Sequence, residues 1–125
     1  MPTIPDLRGL HLLLVEDEYL LALGLAEVAS DLGAEVFGPV ASVDDALELI
    51  DKLPELDAAI LDINLGDATI FPVADALRAR GVPFVFSTAS DRTTLPERFR
   101  DVPVCCKPFD FATFRTALGQ LRRAA

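Results

Sequence analysis

Three carboxylates, a hydroxyl and an ammonium stand where apolar runs of this chain end. Glu16 and Asp17 follow Leu12-Leu13-Leu14-Val15, and Asp62 follows Ala59-Ile60-Leu61. Thr88 closes Phe84-Val85-Phe86-Ser87, and Lys107 follows Val104-Cys105-Cys106. Short apolar runs bounded by polar residues read as buried strands. In an open parallel α/β sheet, ligands bind just beyond the carboxyl ends of the strands. One edge of one sheet then carries the equipment to bind a divalent cation and to take a phosphoryl group onto a carboxylate.

Crowded carboxylates raise one another's pKa unless a cation neutralises them. Mg²⁺ takes a few carboxylates together with carbonyl and water oxygens in octahedral geometry. The expected ligands are Asp17 and Asp62 directly, the Asn64 carbonyl as a third, and Glu16 through water. Lys107 precedes Pro108, which disfavours helix and keeps Lys107 extended, able to point its ammonium along the sheet edge. The chain has only two lysines, Lys52 and Lys107, so one at an apolar strand end favours a functional role. Thr88 is followed by small Ala89 and can offer its hydroxyl to a phosphoryl oxygen. Each acid alone is an ordinary helix cap or turn residue; the set together points to a site.

The elements that must position these groups alternate regularly. Strands are expected over 10–16, 34–40, 57–62, 83–88 and 103–106. Helices are expected over 18–32, ending at Gly33, and over 43–53, capped by Ser42 and stopped by Pro54. A third helix has Pro72 in its first turn and ends near Gly81, and a closing helix is capped by Asp110 and runs to about Leu121. Asn64 to Asp67 reads as a loop. This βαβαβαβαβα pattern predicts an α/β, doubly wound, five-stranded parallel sheet. Residues 89–102 should hold the fourth helix, yet they are poor in apolar residues and carry Pro96 and two threonines. Either an irregular segment or a single turn after Pro96 is expected there.

At 125 residues with 51% hydrophobic and 25% charged content, the chain reads as one soluble domain. Its net charge of −9 repels phosphodiester backbones, so no nucleic-acid partner is expected. No run approaches the roughly 20 apolar residues of a membrane span, and no secretory signal precedes the first strand. Cys105 and Cys106 point to opposite faces of a strand and read as two semi-buried free thiols. A cytoplasmic location is expected, with residues 1–9 as an N-terminal extension and 10–123 as the domain.

The acidic pair Glu16-Asp17, Asp62, Thr88 and the pair Lys107-Pro108, in this order, make the chain similar to the response regulator receiver domains of two-component signalling, essentially over its whole length. The resemblance implies the flavodoxin-like receiver fold with strand order 2-1-3-4-5, which puts strands one and three side by side. It implies Asp62 as phosphoacceptor, with a histidine kinase or phosphotransfer protein, or a small phosphodonor, as the source. Asp62 would attack phosphorus in line to give an aspartyl phosphate. Mg²⁺, Lys107, Thr88 and backbone amides near Asn64 and Ala89 would cradle the phosphoryl oxygens. Asn64 and Ser90 would flank the water that hydrolyses the adduct and so tune its lifetime.

Receivers commonly carry Tyr or Phe three residues before the lysine, and here that position is Val104. A β-branched residue cannot swing an aromatic ring. The switch is therefore expected to order or shift residues 89–103 instead. Phe86-Ser87-Thr88-Ala89 also resembles a receiver subgroup with Phe-Ala-Thr-Gly there, which often has an unusual fourth helix. Leu21, Leu25, Val28 and Leu32 should face the sheet, with Tyr19, Leu20 and Leu23 partly off that stripe. By the same resemblance, this first helix is a docking face for a kinase's helical phosphotransfer domain.

The expected molecule is a stand-alone receiver, monomeric or weakly dimeric. It is no enzyme beyond its own phosphorylation and dephosphorylation, and it passes its state to a downstream protein target. A pseudo-receiver that binds proteins constitutively is the first alternative. A small phosphohydrolase is the second, but Asn64 rather than a second Asp leaves it no general acid.

Overall fold

A computed structural model of the chain describes residues 4–89, 95–108 and 110–125. β1 (His11–Val15) leads into α1 (Tyr19–Asp31), followed by β2 (Glu35–Val40), α2 (Val43–Lys52) and β3 (Ala58–Asp62). Next come a short hairpin, β4 (Asn64–Leu65) and β5 (Ala68–Thr69), and then α3 (Phe71–Ala79) and β6 (Phe84–Thr88). A 3-10 turn (Glu97–Phe99), β7 (Val104–Cys106) and α4 (Phe111–Ala124) complete the chain. The main sheet is parallel with order β2-β1-β3-β6-β7. With the hairpin set aside, that is the expected 2-1-3-4-5 order of the flavodoxin-like receiver fold.

Strand alternation divides the core into two layers. Leu13 and Val15 of β1, with Ala59 and Leu61 of β3, pack beneath α2 and α3. Leu12 and Leu14, with Ala58 and Ile60, pack beneath α1 and α4. Because both faces are covered, β3 and β6 are buried at every position, which is why they read as continuous apolar runs.

The caps foreseen from the sequence form. Ser42 Oγ accepts from the Asp45 amide at 3.1 Å and Asp110 Oδ1 from the Thr113 amide at 2.8 Å. Gly33, just past α1, has φ +107, and a Cβ there would lie 2.9 Å from the Arg8 amide nitrogen. Only glycine fits that close approach. Leu7 and Leu10 are fully buried, and the Leu7 amide donates to the Leu32 carbonyl at 2.9 Å. Residues ahead of β1 thus contribute to the core.

Four details differ from the sequence expectation. The closing helix runs on to Ala124, because Leu121 is still buried against the second core layer. Residues 64–69 form a hairpin rather than a loop. The buried stripe of α1 is Ala22, Leu25 and Ala29, with Leu21, Val28 and Leu32 at its margins. Helical rotation places the small alanines closest to the sheet and leaves Tyr19 and Leu20 72% and 82% exposed. Finally, Cys105 is half-buried while Cys106 is exposed. Burial raises the Cys105 thiol pKa, with a smaller contribution from Cys106.

Where the fourth helix was in question, the described residues hold a single 3-10 turn after Pro96. It is firmly seated. Phe99 is fully buried, with ring centroids 5.7–5.9 Å from those of Phe71, Phe84 and Phe86. Arg98 makes two hydrogen bonds to Asp75 of α3, at 2.9 and 3.0 Å. Arg78 lies over the Phe84 and Phe99 rings and donates to the Arg98 carbonyl.

Candidate functional site

Parallel pairing brings the chemistry-bearing residues to one end of the sheet. β1 pairs with β3 through Val15 and Leu61, so Glu16 and Asp62 emerge side by side. Asp62 is level with Ser87 on β6, and Thr88 is level with Cys106 on β7. Lys107 is thereby delivered beside Thr88, whose carbonyl accepts the Lys107 amide at 2.7 Å. The Lys107-Pro108 peptide is cis.

Lys107 is the hub. Its Nζ lies 2.9 Å from Glu16 Oε1, 3.2 Å from Asp62 Oδ2 and 3.7 Å from Glu18 Oε2. Glu16 and Asp62 are buried, while Glu18 is exposed. Burial pushes the Asp62 carboxyl up to about 7, reinforced by the adjacent Glu16 and opposed by Lys107. Burial alone would lower the Lys107 ammonium, yet its bonds and charge attraction to Glu16 and Asp62 raise it instead. The site thus holds more negative charge than its own cation balances.

A divalent cation fits this deficit. Ligand atoms of Glu16, Asp17 and Asp62 all lie within 4.8 Å of one another. Glu16 Oε2 is buried without a hydrogen-bond partner, a costly state for a carboxylate oxygen unless something else meets it. Oxygen donors of this kind suit Mg²⁺. A cavity of about 360 Å³ opens over the group, lined by Asp17, Glu18, Asp62, Asn64, Gly66, Ala89 and Lys107.

Of the residues singled out from sequence, Glu16, Asp17, Asp62, Asn64, Ala89 and Lys107 share this corner, and Thr88 is buried at the end of β6. Asn64 is exposed, and its amide donates to Asp62 Oδ1 at 3.2 Å. Val104 is 38% exposed on the edge strand, paired with Phe86. Ser90 lies outside the described residues. Two participants were not foreseen: Glu18, which completes the ring of carboxylates around Lys107, and Gly66, whose amide donates to Asp17 Oδ2 at 3.1 Å. The run of acids at 16–18 is the one sequence signal for Glu18; nothing local announces Gly66. A second cavity of about 270 Å³ lies at the opposite end of the sheet, lined by His11, Glu35, Phe37 and residues 53–56. It gathers none of these groups.

No family model matches the chain. Among curated proteins it is similar to the phyllosphere-induced regulator PhyR of Methylorubrum extorquens, 29% identical over 113 residues. That match covers 88% of this chain and 42% of PhyR. The chain spans about half the length, or less, of the curated relatives it matches. Among solved structures, SdrG of Sphingomonas melonis Fr1 is 39% identical, with a TM-score of 0.70, over 94% of this chain and 98% of SdrG. A BeF3-activated conformation of SdrG matches at 38% identity and a TM-score of 0.69, over 91% of this chain and 93% of that one. The receiver (REC) domain of the Erythrobacter litoralis response regulator PhyR superposes with a TM-score of 0.80 at 27% identity, over 93% of this chain and 92% of that domain. With the sheet order and the acid-lysine corner, these likenesses settle the family: the chain belongs to the response regulator receiver domains.

Proposed function

We propose that this receiver accepts a phosphoryl group on Asp62 in a Mg²⁺-dependent reaction and signals through a protein partner. The observation that carries the reading is the placement of Asp62. It is a buried carboxylate held between an ammonium and two further carboxylates at the floor of an open cavity.

Glu16, Asp17, Asp62 and the backbone around Asn64 would hold the cation. When bound, Mg²⁺ supplies two positive charges toward the acceptor and the incoming phosphoryl oxygens. The chain's own residues do the rest. An Asp62 carboxylate oxygen forms the new bond to phosphorus as the donor's bond to phosphorus breaks, and the donor keeps the electron pair. Lys107, already 3.2 Å from Asp62 Oδ2, turns its charge onto a phosphoryl oxygen as the acyl phosphate forms. The Thr88 hydroxyl and the Ala89 amide would complete the cradle, and Ala89 is small enough to leave the approach open. Positioning and charge neutralisation, rather than covalent help, dominate such transfers. Hydrolysis in the same cavity resets the state, so the protein is a switch and not a turnover enzyme.

The donor is a phosphohistidine protein or a small acyl phosphate. Tyr19, Leu20 and Leu23 leave exposed apolar surface on α1, the helix that follows Glu18 of the cavity lining, which suits a helical donor. That BeF3 activates SdrG supports the same chemistry here. No helix among the described residues is long and apolar enough to cross a membrane, in keeping with a cytoplasmic partner. Incubation with acetyl phosphate tests the reading. A single phosphoryl adduct that requires both Mg²⁺ and Asp62 is expected. No adduct in wild type would leave a constitutive binding module as the better account.

A further inference from the structure

Two backbone amides of one short hairpin reach two different carboxylates of the site. The Asn64 amide donates to Asp62 Oδ1 at 3.2 Å, and the Gly66 amide donates to Asp17 Oδ2 at 3.1 Å. The hairpin is fixed at its base, where the Ile70 amide donates to the Ile63 carbonyl at 3.0 Å. Ile63, Leu65 and Ile70 are all buried in the core. Its tip is exposed, and Gly66 there has φ +59. An L side chain at that φ is strained, asparagine least so. No atom lies within 4 Å of a Cβ added to Gly66. A substitution there therefore acts through backbone conformation and not through a clash.

Asp17, unlike Glu16 and Asp62, is exposed. An exposed carboxylate samples several rotamers and loses that freedom when it takes a cation. We propose that Gly66 is a positioning residue for the cation site, an inference that rests on the function proposed above. Its amide ties one Asp17 oxygen to the hairpin and leaves the other to the cation. Because the same hairpin also binds Asp62, it sets the spacing of the two ligands before any ion arrives. Left-handed backbone at position 66 is what aims the amide, so a residue that tolerates positive φ is favoured there for a reason that packing alone does not supply.

The test is Mg²⁺ titration by calorimetry, with the Gly66 amide followed by NMR. Gly66→Val, whose β-branched side chain disfavours positive φ, should weaken Mg²⁺ binding roughly tenfold, the usual cost of losing a group that orients a metal ligand. Gly66→Asn keeps both the amide and the conformation and should bind close to wild type. In an Asp17→Asn background, Gly66→Val should cost nothing further, because the carboxylate it orients is gone. Asp17→Asn alone, without metal, should move the Gly66 amide proton upfield, a readout independent of whether Gly66→Val folds well. An unmoved amide resonance, or an equal loss from Gly66→Val with and without Asp17, would overturn the proposal. Wild type that binds no Mg²⁺ would instead defeat the underlying function. Normal binding that is indifferent to Gly66 would defeat only the positioning role.

Discussion

Lys107 is the residue on which the metal-free corner depends, since Glu16, Glu18 and Asp62 all turn toward its ammonium. Removing it strands two buried carboxylates. Lys107→Ala should lower stability in chelator by roughly 3 kcal/mol, the cost of leaving a buried charge unpaired. Mg²⁺ should restore part of that loss in a denaturant titration. A change below about 1 kcal/mol would mean the pairing is too solvated to matter. Asp62 yields a prediction of opposite sense. Its carboxyl is raised to about 7 in the fold, so the native state keeps a proton that the unfolded chain gives up near pH 4. Between those values the native state binds more protons, and stability must fall as pH rises. Wild type in chelator should thus lose about 1–3 kcal/mol from pH 5 to pH 8 relative to Asp62→Asn, which lacks this group. Parallel pH profiles for the two proteins would contradict the assignment. These two side chains were legible in the sequence because each ends an apolar run. The Gly66 amide was not, since backbone donors leave no trace in residue type.

At the scale of elements, the turn Glu97–Phe99 is anchored among the described residues by the buried ring of Phe99. Phe99→Ala empties a fully buried aromatic position and should cost about 3–5 kcal/mol. Arg98→Ala removes a half-exposed pair with Asp75 and should cost less than about 1 kcal/mol. Chemical denaturation of both variants checks this ordering, and a reversal would show that the ion pair, not the ring, seats the turn. Because Phe99 and Val102 are buried, their amides should be equally protected with and without beryllofluoride. The shift expected over residues 89–103 then narrows to the part of that range outside the stretch they anchor. Changed protection at these two amides would contradict that. Phe99 was hidden in the sequence among Glu97, Arg98 and Arg100, so no apolar period marked it. The hairpin was hidden because two-residue strands are too short to show alternation. The strands and caps were legible because continuous apolar runs, Ser42 and Asp110 have few other uses in those contexts.

Across the whole molecule, charge is segregated. Sixteen of the twenty Asp and Glu precede residue 78, and nine of the eleven Lys and Arg follow residue 77. The main sheet runs from β2 through β1 and β3 to β6 and β7, so its first three strands carry the acidic part of the chain and its last two the basic part. A net charge of −9 conceals this polarity. A cation that binds the native state alone must stabilise the whole fold. Mg²⁺ at a hundred times its Kd should add about 2.7 kcal/mol, and chelator should remove it. An unchanged Tm would mean that the acidic corner takes no ion. The central claim, that Asp62 is the phosphoacceptor, is tested most directly by intact-mass spectrometry after incubation with acetyl phosphate and Mg²⁺. One added phosphoryl group in wild type, absent in chelator and absent in Asp62→Asn, is the predicted result. An adduct that persists in Asp62→Asn, or wild type that remains unmodified, would contradict it.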